Sequence, residues 1–149
     1  MHYQVEKGDY TISTDQSKLD IAKIHQYLSE ESYWSKNISL EIVRAYIPHC
    51  LCFGVYHGEE QIGFARLITD YTTFAYLCDV FIAAEFRGRG LGKWLVQSML
   101  DHPQMQGLRR WLLFTKDAHG LYQQYGFDTL PKIHRAMAKI NFTVYPESD

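Results

Sequence analysis

Apolar side chains return along this chain at two spacings, and each spacing predicts an element. Ile21, Ile24 and Leu28 recur every third or fourth residue and predict a helix. Ser17, with Asp20 three positions on, reads as a capping box at its start. "SLEIVRAYI", from Ser39, predicts a second short helix that Pro48 ends, with "SYWSKN" as the loop between the two. The period then shortens. "CLCFGVY" and "QIGFARLIT" are β-rich runs joined by the turn "HGEE", the signature of a hairpin. "TFAYLCDVFI" is a third strand, so apolar that a central place in a sheet is expected. "HYQVEKGDYTIST" adds one or two short strand pieces around Gly8. Further on, Leu91, Leu95 and Met99 predict a helix face, with Pro103 just beyond it. "RRWLLFT" reads as a buried strand, "DAHGLYQQYGF" as a short helix stopped by Gly126 at C′, and "HRAMAKINFTVY" as a last strand. The order is strand, two helices, three antiparallel strands, helix, strand, helix, strand, which makes the class α+β.

Composition narrows this picture. The 149 residues are enough for one domain with a real core, and no linker, repeat or low-complexity tract divides residues 1–149. Hydrophobic residues make up 46% and aromatics 15%, in keeping with a packed globule. A net charge of −2 provides no basic footprint for nucleic acid. No apolar run approaches the roughly 18 residues of a membrane span, and "MHYQVEKGDY" lacks a signal-peptide core. Cys50, Cys52 and Cys78 are odd in number and without framework spacing, so reduced thiols and a cytoplasmic location are expected. "HCLC" has no second ligand pair, and no metal is expected.

The unusual segment is "DVFIAAEFRGRGLGKWLV", Asp79 to Val96. Three alternate glycines, Gly88, Gly90 and Gly92, stand among Arg87, Arg89 and Lys93 between a strand and a helix. The first N–H groups of a helix have no intrahelical partner and carry the positive end of its dipole, so such a turn suits an anion. A Walker A loop would need glycine where Arg87 stands and a hydroxyl where Trp94 stands. A dinucleotide turn would need Gly-x-Gly-x-x-Gly inside a βαβ unit, whereas a hairpin precedes this one.

Arg87-Gly88-Arg89-Gly90-Leu91-Gly92 matches Arg/Gln-x-x-Gly-x-Gly/Ala and resembles the coenzyme A pyrophosphate loop of the GNAT superfamily of acyl-CoA-dependent N-acyltransferases. Ile82 to Arg87 is similar to the run that usually leads into that loop, with Ala84 in place of proline, and "LYQQYGF" is similar to the superfamily's Φ-Tyr-x-x-Φ-Gly-Phe. The resemblance spans nearly the whole chain. It implies a GNAT fold, a mixed and mainly antiparallel sheet flanked by helices. It also implies acetyl-CoA as co-substrate and direct transfer of the acetyl group to an amine in a ternary complex. By the same resemblance, residues Arg87 to Lys93 hold the pyrophosphate, and the backbone of Val80, Phe81 and Ile82 grips the pantetheine and the thioester carbonyl. Thr115 stands where many members carry an asparagine that touches the coenzyme arm. Tyr122 aligns with the general acid to the coenzyme sulfur, and a phenol with its ordinary pKa near 10 is protonated at neutral pH. Tyr125, three residues on, is expected to pack inward.

Asp79 is the only carboxylate inside "TFAYLCDVFI". A buried carboxylate is costly unless paired or used. It is expected to serve as the base for the amine, with a structural role, or water as the base, as the alternatives. His119 lies one turn before Tyr122 and reads as a solvated neighbour. The resemblance places the acceptor cleft at the first two helices and their loop. There Glu30 and Glu31 could draw a cationic amine, Tyr33 and Trp34 could cover it or stack on it, and "DYTTF", from Asp70, could close the cleft. The acceptor is expected to be a small-molecule or peptide amine whose identity the residues do not give, and a homodimer is left open. A non-catalytic acyl-CoA sensor on the same fold is the alternative function, separable by turnover. A nucleotide-phosphate binder using the same turn is a further one.

Overall fold

The computed structural model of the protein describes residues 1–145. Strands β1 (Gln4–Lys7) and β2 (Tyr10–Ser13) form a hairpin over Gly8 and Asp9, where Gly8 supplies a φ of 58° at the first turn position. Helices α1 (Ile21–Gln26) and α2 (Leu40–Tyr46) follow, then β3 (Leu51–His57), β4 (Glu60–Thr69) and β5 (Phe74–Ile82). Helix α3 (Leu91–Asp101), strand β6 (Arg110–Leu113) and helix α4 (His119–Gln123) complete the order. The six strands lie side by side in sequence order; β1 to β5 are antiparallel neighbours and β6 runs parallel to β5. This is the expected α+β architecture, a mixed and mainly antiparallel sheet flanked by helices.

The pleat sorts the side chains to two cores. Phe53, Val55, Ala65 and Leu67 meet Leu95 and Met99 of α3 on one face. Phe64 and Phe81 meet Ile24 of α1, Leu28 of the turn after it and Val43 of α2 on the other. Burying one such side chain fully contributes about 1.5–3 kcal/mol, so both helical layers are held by the sheet more than by their own short lengths. None of the helices formed by the described residues is long and apolar enough to cross a membrane.

Two expectations are corrected. Ser17 does not cap α1. Asp15 takes the N–H and hydroxyl of Ser17, closing a separate turn over Gln16–Lys18, and Asp20 caps α1 by accepting from the Lys23 N–H at 3.1 Å. "HRAMAKINFTVY" forms no strand. Lys132 adopts a left-handed φ of 63° before a single turn at Ile133–Arg135, which carries the chain away from a ladder, and every residue from 128 to 144 is exposed.

Two irregularities at β5 shape the site. Phe64 faces Phe81 across β4 and β5, but Arg66 faces Cys78, so Asp79 and Val80 bulge opposite Ala65. Asp79 takes a φ of 58°, rare for a residue with a side chain. On its other edge β5 pairs with β6 only from Phe74 to Leu77; beyond that the two strands part.

Candidate functional site

Where β5 and β6 diverge, a cavity of about 350 Å³ opens between them. Cys78, Asp79 and Val80 form one wall, Phe114 and Thr115 the other, and Tyr122 of α4 lies at its side. Strand β5 leads from this wedge through a short turn at Ala84–Phe86 to the glycine turn. Among the described residues the edge of β5 from Cys78 to Ile82 has no strand partner on the β6 side.

In the turn, Gly88 and Gly90 hold φ of 79° and 78°. An ideal Cβ at Gly88, Gly90 or Gly92 would meet no protein atom within 4 Å. Packing therefore does not require glycine at Gly92, and the open space lies where α3 presents its first N–H groups; the earliest of its bonds is Trp94 N–H to the Gly90 carbonyl at 3.1 Å. Leu91 anchors the helix in the core while Lys93 faces solvent. Arg87 donates to the Ile82 carbonyl at 3.0 Å and to the Tyr27 hydroxyl at 2.9 Å, and Arg89 donates to the Tyr10 hydroxyl at 2.8 Å. These bonds steady two guanidinium groups beside the turn. Cradle, free donors and cations fit a pyrophosphate.

Of the β5 residues from Val80 to Ile82, Val80 lines the wedge, and Ile82 gives its carbonyl to Arg87. Phe81 turns its ring to the opposite face, stacked on Tyr27 with centroids 3.8 Å apart.

Asp79 is buried at 5% exposure and fully engaged. Its Oδ1 accepts from Trp34 Nε1 at 2.8 Å; its Oδ2 accepts from the Tyr46 hydroxyl at 3.2 Å and pairs with the Arg66 guanidinium. Arg66 also lies 3.8 Å above the Tyr46 ring and donates to Cys50 Sγ. The sequence reading weighed Asp79 without Arg66. The signal was present, because Arg66 is the only charged residue of "QIGFARLIT", as Asp79 is of the next strand. Two single charges on adjacent apolar strands had only each other to meet.

Tyr122 is positioned by a short, well-fixed helix. Thr115 Oγ1 accepts the Ala118 N–H at 3.0 Å before α4. At its end Gly126, with φ 91°, donates to Gln123 while Phe127 donates to Tyr122, the pair of bonds of a Schellman stop. Tyr122 is 8% exposed, and none of the described residues hydrogen-bonds its hydroxyl. Burial, and after it the nearby Tyr33, push its pKa up to about 12, so the phenol holds its proton firmly. Tyr125 is half-buried and donates to the Lys93 carbonyl at 3.1 Å. His119 lines a different, apolar cavity together with Trp111, Phe127 and Leu130.

The loop after α1 brings Tyr33 and Trp34 over the wedge. A wide turn, with Ser32 N–H bonded to the Tyr27 carbonyl, and a 2.7 Å bond from Ser32 Oγ to Leu28 reverse the chain there. Tyr33 accepts the Lys116 N–H at 2.9 Å, so its hydroxyl ties this loop to the β6 side. A second cavity of about 360 Å³ lies beyond Tyr33 and Trp34, walled by Lys36 and by Ile140, Phe142 and Tyr145 of the C-terminal segment. Sequence reasoning missed this wall because the segment reads as a strand. Glu30 and Glu31 do not line either cavity; Glu31 borders a separate hollow with Tyr27 and Glu85. Asp70 accepts from the Thr73 hydroxyl and from the N–H groups of Thr73, Thr72 and Phe74 in its own loop, which holds its carboxyl well below the usual range, and the loop stays outside both cavities. Among the described residues no group of three His, Cys, Asp or Glu side chains could hold a metal ion.

Residues 21–127 match the model of the acetyltransferase (GNAT) family. A solved structure from Xanthomonas campestris pv. campestris, provisionally named a GNAT-family acetyltransferase, superposes with a TM-score of 0.87 at 47% identity, covering 93% of this chain and 97% of that one. A Gibberella zeae protein provisionally named an acetyltransferase is 32% identical over 138 residues, 78% of this chain and 77% of its own. A GNAT-family acetyltransferase of Elizabethkingia anophelis, solved with acetyl-CoA bound, shares the fold at a TM-score of 0.63 and 19% identity, covering 84% of this chain and 80% of that one.

Proposed function

The chain belongs to the acetyltransferase (GNAT) family, and from that premise we propose that it moves an acetyl group from acetyl-CoA to the nitrogen of an amine acceptor while both substrates are bound. The observation that carries the reading is the wedge between β5 and β6. It combines an unpaired β5 edge, a buried phenol with no protein partner, and a direct lead into an anion-binding turn.

Acetyl-CoA supplies the acetyl group as a thioester. The N–H groups of Leu91, Gly92 and Lys93 and the charges of Arg87, Arg89 and Lys93 bind its pyrophosphate, with Gly88 and Gly90 keeping the approach clear. Backbone donors from Val80 to Ile82 face the thioester carbonyl. They are fixed in place before the reaction, so they stabilise developing negative charge without reorganising. Thr115 borders the path of the coenzyme arm. Tyr122 gives its hydroxyl proton to the departing sulfur, and a phenol held at about 12 is protonated at any physiological pH. Asp79, paired with Arg66 and bonded to Trp34, acts in this reading by holding the wall and its roof in place, and the incoming ammonium loses its proton to water in the cleft. The measurement that tests the function is release of free thiol from acetyl-CoA across an amine panel. Coenzyme binding without thiol release for any amine would replace the transferase with a sensor.

A further inference from the structure

We propose that the acceptor is a primary amine on an aromatic or large apolar body that carries an anionic group at its far end; a dipeptide with an aromatic first residue is the simplest example. The reactive amine rests on the acyl-transfer reading above. The body and the far charge rest on other residues.

The body follows from apolar surface that faces a cavity instead of a core. Tyr33 is 51% exposed, Trp34 37%, Ile140 61% and Phe142 75%, and all four line the outer cavity. Such a concave apolar wall beside a reaction cavity is what a ring or a long alkyl group covers. The Tyr33 and Trp34 rings meet edge to face with centroids 5.0 Å apart, and both also line the wedge. A ligand with its amine in the wedge therefore passes these rings to reach the outer cavity.

The far charge follows from what is left unpaired. Among the described residues Lys36 is the only charged side chain lining the outer cavity, and it makes no ion pair with any of them. In the wedge, Asp79 is neutralised by Arg66, and Lys116 already lies 5.5 Å over the Tyr33 ring. Asp117 is the one other carboxylate there. A polyamine would bring its second ammonium towards Lys36 and Lys116, whereas a carboxylate would find a partner. Two extended residues span about 7 Å, the length scale of one aromatic side chain, so a dipeptide can place its amine and its carboxylate on the two sides of Trp34.

The test compares Phe-Gly, Phe-Gly amide, Gly-Gly and spermidine with saturating acetyl-CoA, reading thiol release, and measures Phe-Gly binding by calorimetry. Losing the ring should lower kcat/KM by roughly 10- to 100-fold, the effect of leaving a large apolar group out of its pocket. Losing the carboxylate should lower it by roughly two- to fivefold, the scale of an exposed ion pair, and high salt should shrink that difference. In Lys36→Ala the ratio of Phe-Gly to its amide should fall to near one. Spermidine preferred over Phe-Gly, or a ratio near one in the wild type, overturns this ligand class and leaves the transferase intact. Phe-Gly binding that weakens in Lys36→Ala, with no thiol released from any amine, leaves the ligand class standing and removes the transferase. No calorimetric binding and no preference in turnover removes the ligand class outright.

Discussion

Trp34 Nε1 donates to Asp79 Oδ1 across 2.8 Å, joining the loop that roofs the cleft to the left-handed residue at the centre of the β5 bulge. One buried carboxylate thus holds both a ring over the wedge and the backbone distortion in its wall. Asp79→Asn keeps the shape but leaves the Arg66 charge without its partner. Breaking a buried pair from one side typically costs about 3–5 kcal/mol, and a loss of that size is expected in denaturant unfolding. Turnover should fall as well, with acceptor KM rising because Trp34 loses its anchor, while coenzyme affinity stays nearly intact. A pH–rate profile that keeps its wild-type shape at reduced height would support positioning; loss of one ionisation from the profile would give Asp79 the base role.

The glycine turn separates stability from binding. Gly92 sits inside α3, and a Cβ there would meet nothing within 4 Å. Gly92→Ala should therefore stabilise the fold by about 0.5–1 kcal/mol, through helix propensity and a less flexible unfolded chain. If the turn holds the pyrophosphate as proposed, the same methyl intrudes on its approach, and calorimetry should show weaker coenzyme binding. Gly90→Val should abolish detectable binding, and it also carries a backbone cost of about 1–3 kcal/mol at its φ of 78°. A Gly92→Ala protein that is more stable and binds normally would move the anion elsewhere.

Tyr122→Phe retains the ring against Phe127 and deletes only the unpartnered hydroxyl. Thiol release should drop by about 10²–10⁴-fold where sulfur departure limits the rate, with acetyl-CoA affinity little changed. Tyr125→Phe instead loses the bond to the Lys93 carbonyl, at a cost of about 1 kcal/mol in stability and little in rate. Equal losses in the two variants would remove Tyr122 from the chemistry.

Alkaline pH should unfold the protein through its tyrosines. The Tyr122 pKa is raised by burial from 10.0 to about 12, and burial also raises Tyr46 and Tyr56. A raised folded-state pKa means the native protein keeps a proton that the unfolded chain releases. Stability is then complete below pH 10 and declines as pH rises towards 12, by about 3 kcal/mol for a two-unit shift at Tyr122 alone. The part of the tyrosinate absorbance that belongs to the buried tyrosines should rise in one cooperative step that coincides with the loss of far-UV circular dichroism, after the exposed ones have ionised gradually; gradual ionisation of all eleven tyrosines well before unfolding would contradict the burial.

What was legible in the sequence followed from periodicity and local chemistry. The 3.6 and 2.0 spacings gave the helices and the central strands, and Gly126 marked a helix stop that its φ of 91° fulfils. The glycine turn was legible because its exceptions to ordinary composition were local. The Arg66–Asp79 pair was not read, since each charge was weighed on its own strand and only the sheet register brings them together. The final segment alternates as a strand should, yet alternation fixes which side chains share a face and not whether an edge is there to receive them. Ser17 and Asp20 fit a capping pattern, but Asp15, one turn earlier, competes for the same N–H group.

The C-terminal wall of the outer cavity carries a consequence for how this enzyme can be cut and rebuilt. Lys132, Arg135 and Lys139 lie in the exposed stretch that no strand ladder holds. A brief trypsin digest should clip there first and leave the six-stranded sheet, the glycine turn and Tyr122 in one large fragment. Acceptor range and coenzyme grip would thereby reside in separable pieces of chain. A tail grafted from a relative could change which amines are chosen without asking the core to repack.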